Sequence, residues 1–228
     1  MAYPGGKGVS GAYQKLINMI PPHDVFIETH LGGGAVMARK KPAKVNIGLD
    51  IDPAVVRKWT ANSPARYPVD VRQADAVDFL GEYSFNGTEF VYCDPPYLRE
   101  TRKGKPIYRY DYTDTQHREL LSVLKTLPCQ VMVSGYWSVL YAECLGNWRT
   151  ESFPLRTRSG ETATEWVWMN YPRPEELHDY RFAGADFRER ERIKRRQERW
   201  VGRLRSMSNL ERQAILAAIE SESEKGWA

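Results

Sequence analysis

Apolar runs rich in β-branched and aromatic residues recur along the first part of the chain, at 25–29, 45–50, 69–74, 90–94 and 129–134. Runs of that length and composition predict buried strands. Between them the apolar positions change to helical spacing, over 34–41, 53–62, 76–80 and 115–127. In the last of these Leu120, Leu121 and Leu124 form one face, and Thr113 with Gln116 makes a capping box at its start. Strand and helix alternate, which implies crossover connections and an α/β fold: a mainly parallel sheet with helices on both faces. Two later runs, 149–156 and 164–171, lie close enough for a hairpin.

After Tyr171 the pattern changes. Pro172-Arg173-Pro174 ends the strand periodicity, and 186–205 is a highly charged helical stretch whose sparse apolar positions are Ile193, Trp200, Val201 and Leu204. Ser206-Met207-Ser208 interrupts it, and Ser208 with Glu211 caps a second helix over 209–222. The expected organisation is an α/β domain over 1–171 and a basic helical extension over 172–228. Both a helix-turn-helix and a packed α-hairpin fit that extension.

Composition narrows the class. A chain of 228 residues with 42% hydrophobic and 27% charged content can hold one full α/β core and a small appendage. No apolar run approaches the roughly 18 residues of a membrane span, and the amino terminus lacks a signal-peptide pattern, so a cytoplasmic protein is expected. Cys93, Cys129 and Cys144 have no C-x-x-C spacing, so neither disulfides nor a metal site is expected. Net charge is only +4, but residues 181–205 carry ten Arg/Lys against four Asp/Glu. A basic segment of that kind predicts a polyanionic partner.

The candidate chemistry lies in Asp94-Pro95-Pro96-Tyr97, directly after the apolar run 89–93. Two prolines stop the ladder and fix the turn, so the strand delivers an acid, two carbonyls and an aromatic ring to one sheet edge. Such a set suits methylation of an exocyclic amine, whose lone pair is delocalised into its ring. Asp94 and the Pro95 carbonyl can accept the two N–H bonds and aim the lone pair, while Tyr97 stacks on the base. That chemistry needs no metal. Upstream, the glycine loop ending at Gly32 and Gly34 is followed roughly twenty residues on by Asp50, as in folds that bind a nucleoside ribose with an acid. The Gly-x-Gly-x-x-Gly pattern is absent, which argues against a nicotinamide cofactor.

On these residues the chain resembles the Dam-type adenine-N6 DNA methyltransferases, over about residues 1–171. Besides the tetrapeptide, Tyr3-Pro4-Gly5-Gly6-Lys7 is similar to the family's amino-terminal donor motif. Phe26-Ile27-Glu28-Thr29-His30-Leu31-Gly32-Gly33-Gly34 is similar to its glycine-rich loop, with Thr29 and His30 where the family usually has Pro and Phe. The resemblance implies a Rossmann-like methyltransferase fold with an antiparallel edge hairpin, and S-adenosylmethionine as cofactor. It further implies Tyr3 and Lys7 at the donor's aminoacyl end, His30, Gly32 and Gly34 in the loop around it, and Asp50 at its ribose. Asp75 or Ala76 would meet its adenine, and Asp94 would lie where donor and acceptor meet. Simple helix capping remains an alternative for Asp75.

The expected activity is site-specific methyl transfer to adenine N6 in double-stranded DNA, with the target flipped out of the duplex. Cytosine-N4 methylation and a non-catalytic DNA-binding scaffold are the alternatives. Expected DNA contacts are Arg99, Arg102, Lys103, Lys105 and Arg109 in the loop 98–112, and Arg188, Arg192, Arg195, Arg196 and Arg199 in the extension. So small a reader suggests a homodimer on a palindromic site, with Leu210, Ile215, Leu216 and Ile219 as a possible interface.

Overall fold

In the computed structural model the described residues are 7–8, 11–102, 109–156 and 160–225, so Tyr3, Lys103 and Lys105 lie outside them. Two compact units divide the chain, at 1–180 and 181–228.

The first unit is a seven-stranded sheet. Its strands are β1 (Val25–Glu28), β2 (Val45–Asp50), β3 (Asp70–Gln73), β4 (Glu89–Cys93), β5 (Gln130–Gly135), β6 (Arg149–Arg156) and β7 (Thr162–Met169). Their spatial order is β3-β2-β1-β4-β5-β7-β6, with β7 antiparallel to both neighbours and every other pair parallel. The helices are α1 (Ala12–Ile17), α2 (Pro53–Ala61), α3 (Ala76–Glu82), α4 (Asp114–Thr126) and α5 (Val139–Cys144).

Side-chain alternation along the strands sorts the core into two faces. Ile27, Leu49, Val91, Cys93, Val131 and Val133 pack with Leu80 of α3, Leu120, Leu121 and Leu124 of α4, and Leu140 of α5. Phe26 and Phe90 point the other way and stack, with His23 and Tyr171 against them. The predicted capping box at Thr113 and Gln116 starts α4. The chain reverses strand order between β1 and β4, and clefts in open α/β sheets form at the carboxyl ends of the strands at such a point. Both the glycine loop after β1 and the tetrapeptide after β4 emerge there.

The helix expected over 34–41 does not form; that stretch is a series of turns. Gly34 has φ +53°, outside the helical range. The Met37 N–H donates to the buried Glu28 carboxylate at 2.9 Å instead of closing a helical ring. Neither α1 nor α5 was evident from the pattern, because six residues are too few to establish a period.

Segment 171–180 belongs to the first unit. Tyr171 OH donates to the Met19 carbonyl at 3.1 Å, the Lys41 N–H donates to Asp179 at 2.8 Å, and the His178 ring stacks on His23 at 3.9 Å. The second unit consists of α6 (Phe187–Ser206) and α7 (Asn209–Lys225). Asp186 caps α6 by accepting from the Glu189 N–H, and Ser208 accepts from the Glu211 N–H at the start of α7. Neither helix has a buried residue. Among the described residues no helix is long and apolar enough to cross a membrane.

Candidate active site

A cleft open to solvent is lined by residues of both the glycine loop and the tetrapeptide. It is lined by Glu28 through Val36 of the glycine loop, by Asp50, Ile51 and Asp52 after β2, and by Ala74 and Ala76. Tyr92, Asp94, Pro95 and Pro96 line it from β4 and the tetrapeptide, together with Lys7, Arg109, Tyr110 and Tyr112.

The glycine loop is shaped by tertiary contacts. Trp59 of α2 presses against Gly34 so closely that a Cβ there would meet its ring at 2.0 Å, and its indole N–H donates to the Gly32 carbonyl at 3.1 Å. Asp50, at the end of β2, accepts from the Gly32 N–H at 2.8 Å through one oxygen and from the Asp52 N–H at 2.8 Å through the other. Burial pushes its carboxyl above the usual range, and the two N–H bonds oppose that. Each carboxylate oxygen accepts more than one hydrogen bond, so Asp50 retains capacity toward a ligand hydroxyl.

His30 closes the loop from above. Its Nδ1 lies 2.9 Å from Thr29 Oγ1, and its Nε2 lies 3.1 Å from Tyr112 OH, with the two rings edge to face. Burial lowers its pKa to about 3, so it is a neutral hydrogen-bonding ring at physiological pH. Asp75 caps α3, accepting from Val77 N–H at 2.8 Å and Asp78 N–H at 3.3 Å, while its neighbours Ala74 and Ala76 face the cleft.

In the tetrapeptide Asp94 is the hub. Lys7 Nζ donates to both of its oxygens, at 2.6 and 2.7 Å, and Ser134 Oγ of β5 donates to Oδ1 at 2.9 Å. Ser134 is itself bonded to Tyr92 OH at 2.9 Å. Lys7 also donates to Tyr97 OH and lies 3.2 Å from Glu165 of β7, to which Tyr97 OH donates at 2.7 Å. The Tyr97 ring meets Tyr136 edge-on, with centroids 4.5 Å apart. Burial, with the Asp94 and Glu165 charges, holds the Tyr97 phenol well above its ordinary pKa, so it remains a donor.

Most of the expected residues thus converge: Lys7, His30, Gly32, Gly34, Asp50, Ala76 and Asp94 to Pro96 line one cleft, whereas Asp75 and Tyr97 are not among its lining residues. The loop arginines have separate surroundings. Arg102 Nη2 reaches both Asp111 oxygens at 2.6–2.7 Å with its side chain only 9% exposed, whereas Arg99 and Arg109 are exposed. In the second unit Arg188, Arg192, Arg195, Arg196 and Arg199 are at least partly exposed, and Arg192 pairs with Glu189 at 3.0 Å.

Two acids in the site were not expected. Glu28 is fully enclosed, and burial raises its carboxyl to about 8. Glu165 is 1% exposed, and burial raises it to about 7 against the lowering effect of Lys7. Each was visible as a lone acid in an otherwise apolar strand, a residue type rarely buried without a purpose.

No protein-family model matches the sequence, and no curated protein matches it. Solved structures do match in fold. The N-methyltransferase NodS from Bradyrhizobium japonicum superposes with a TM-score of 0.50 at 12% identity, covering 72% of this chain and 94% of that one. TrmK from M. capricolum, in complex with S-adenosyl-homocysteine, gives 0.49 at 9% identity over 96% of this chain and 97% of that one. An rRNA methylase from Streptococcus thermophilus gives 0.43 at 12% over 69% and 92%. The likeness to NodS is one of fold: an α/β fold shared with a solved N-methyltransferase.

Proposed function

We propose that the chain is a site-specific DNA methyltransferase acting on adenine N6, with S-adenosylmethionine as methyl donor. The observation that carries this reading is the Lys7 ammonium seated on both Asp94 oxygens. It marks a carboxylate at the cleft wall, next to two rigid prolines, that is built to receive N–H donors.

The cleft fits the donor. Gly32 and Gly34 allow close backbone approach, Asp50 has acceptor capacity for ribose hydroxyls, and Lys7 offers a positive charge for the carboxylate of an amino-acid end. When bound, S-adenosylmethionine supplies an electrophilic methyl group. What the protein must then do is orient and activate the amine. Asp94 and the Pro95 carbonyl accept its two N–H bonds, which localises the nitrogen lone pair and aims it across the cleft. Asp94, accepting one of those N–H bonds, is placed to take the proton that the nitrogen sheds. Tyr97 offers a ring to replace the stacking partners left behind on flipping.

Double-stranded DNA as the substrate is supported by the resemblance of the three motifs and by the ten basic residues within 181–205. The test incubates the purified chain with donor and with duplex DNA or RNA, followed by mass spectrometry of the digested nucleosides. N6-methyladenine from the duplex is the expected product. N4-methylcytosine, methylated RNA alone, or no methylated nucleoside would each refute it.

A further inference from the structure

Asp94 has a rival for its role as amine acceptor within the site itself. Lys7 is 4% exposed and covers both Asp94 oxygens, which are the acceptors a target amine needs. An incoming amine competes with that ammonium for the carboxylate, and Asp94 is freest to accept from it once the ammonium is drawn aside. Leaving a buried ammonium without a carboxylate is costly, so its release requires a second acid within reach.

Glu165 meets that requirement. It lies 3.2 Å from Lys7 Nζ, held on β7 opposite Phe153 of β6 and one residue before the β5–β7 ladder begins at Trp166. Tyr97 OH donates to the same Glu165 oxygen that faces Lys7, which holds the carboxylate in place and ties it to the tetrapeptide. Resting on the amine-methylation reading, we propose that Glu165 is a positioning residue that takes over the Lys7 ammonium when Asp94 passes to the target amine. The hand-off is a shift of hydrogen bonds on one nitrogen; no bond to carbon and no net proton is exchanged.

Charge on Glu165 is essential to that role. The groups facing it are Lys7, Asp94 and Tyr97, with Tyr92 and Tyr136 also within its field. All three phenols are shifted upward, so they do not titrate near neutrality. The Glu165 carboxyl itself, raised to about 7, is neutral in acid and charged above that value. Methyl transfer therefore gains a limb that rises with pH through about 7. Glu28, held at about 8 in the same cleft, adds its own dependence, so the readout is the difference between profiles.

The experiment compares the full-length chain with Glu165→Gln, which keeps shape and removes charge, and with Glu165→Asp, which keeps charge and shortens reach. For Gln, the single-turnover rate on an adenine duplex should fall at least tenfold, and the limb near pH 7 should vanish. Dissociation constants for donor, and for duplex in donor-free protein, should change less than threefold. Asp should retain the limb at a rate between the two. A Gln variant within twofold of the parent, or one with an unchanged pH profile, would overturn the proposal while leaving adenine methylation intact. A parent chain that methylates no adenine would overturn both. Should Gln fail to fold, the Asp variant decides: a rate equal to the parent's, or a missing limb, counts against the hand-off.

Discussion

Asp94→Asn replaces one acceptor oxygen by an N–H donor and removes the charge at the carboxylate Lys7 now covers, with little change in shape. The one remaining oxygen would be taken by the ammonium and the NH2 would face the incoming amine, so the lone pair could no longer be localised in the same way. Methyl transfer should fall at least about a hundredfold, the usual scale for removing one aligned polar group from a transition state. Lys7 keeps Glu165 at 3.2 Å, so the variant should fold, and donor affinity measured by calorimetry should stay within about threefold of the parent. A near-normal single-turnover rate would remove Asp94 from the chemistry. At this scale Asp94 and its prolines were legible because four consecutive residues carry the whole constellation. Glu165 was legible only as a lone acid in an apolar run and not as a site residue: it meets Tyr97 across 68 positions of sequence, and only the placement of β7 in the sheet brings the two together.

Among elements, the glycine loop is the most sensitive to packing. Gly34→Ala sets a Cβ 2.0 Å from Trp59 Cζ2, at a φ of +53° that side chains rarely adopt. Neither α2 nor the loop can yield without moving Gly32, whose carbonyl the same indole holds. A loss of about 2 kcal/mol or more in denaturant unfolding is expected, together with weakened donor binding; a stable variant with full affinity would mean the loop is looser than its packing implies. The pattern over 34–41 suggested a helix because apolar spacing reports burial, not the partner of each N–H. Here a buried acid from β1 took that N–H, which no local pattern displays. The central strands β4 and β5 were legible for the opposite reason: their partners are other strands, and burial on both faces leaves a nearly unbroken apolar run. Helix α6 adds a property that its composition had obscured. At about 100° per residue, Arg188, Arg192, Arg195, Arg196, Arg199 and Arg203 fall within a stripe about 100° wide and about 22 Å long. Replacing Arg192, Arg195 and Arg199 by Gln should lower the salt slope of DNA binding by up to about 3, one for each phosphate that is no longer neutralised. Lys194 and Arg205, on other faces, should change it little; equal effects from both sets would show that only total charge matters.

For the whole molecule, two compact units divide the chain. Every described residue lining the cleft lies within 1–180, as do all seven strands. The second unit offers the Arg stripe and, on α7, the exposed apolar residues Leu210, Leu216 and Ile219. Apolar side chains left uncovered on a helix suit a contact with a second copy, and two copies would double the reach of a small reader along a palindromic site. Deleting 181–228 should therefore leave the thermal midpoint of the sheet unit and its donor affinity nearly unchanged. Duplex affinity at low salt should fall at least tenfold and become far less dependent on salt, because 181–228 accounts for the whole net charge of +4 and the remainder is neutral. Light scattering should report a dimer for the full chain and a monomer for the truncated one. Truncation without effect on DNA binding would move the phosphate contacts to the loop 98–112, where Arg99 and Arg109 are exposed. A full chain that is monomeric both free and on its target DNA would mean that one subunit reads the site alone, and its product should then carry the methyl group on a single strand.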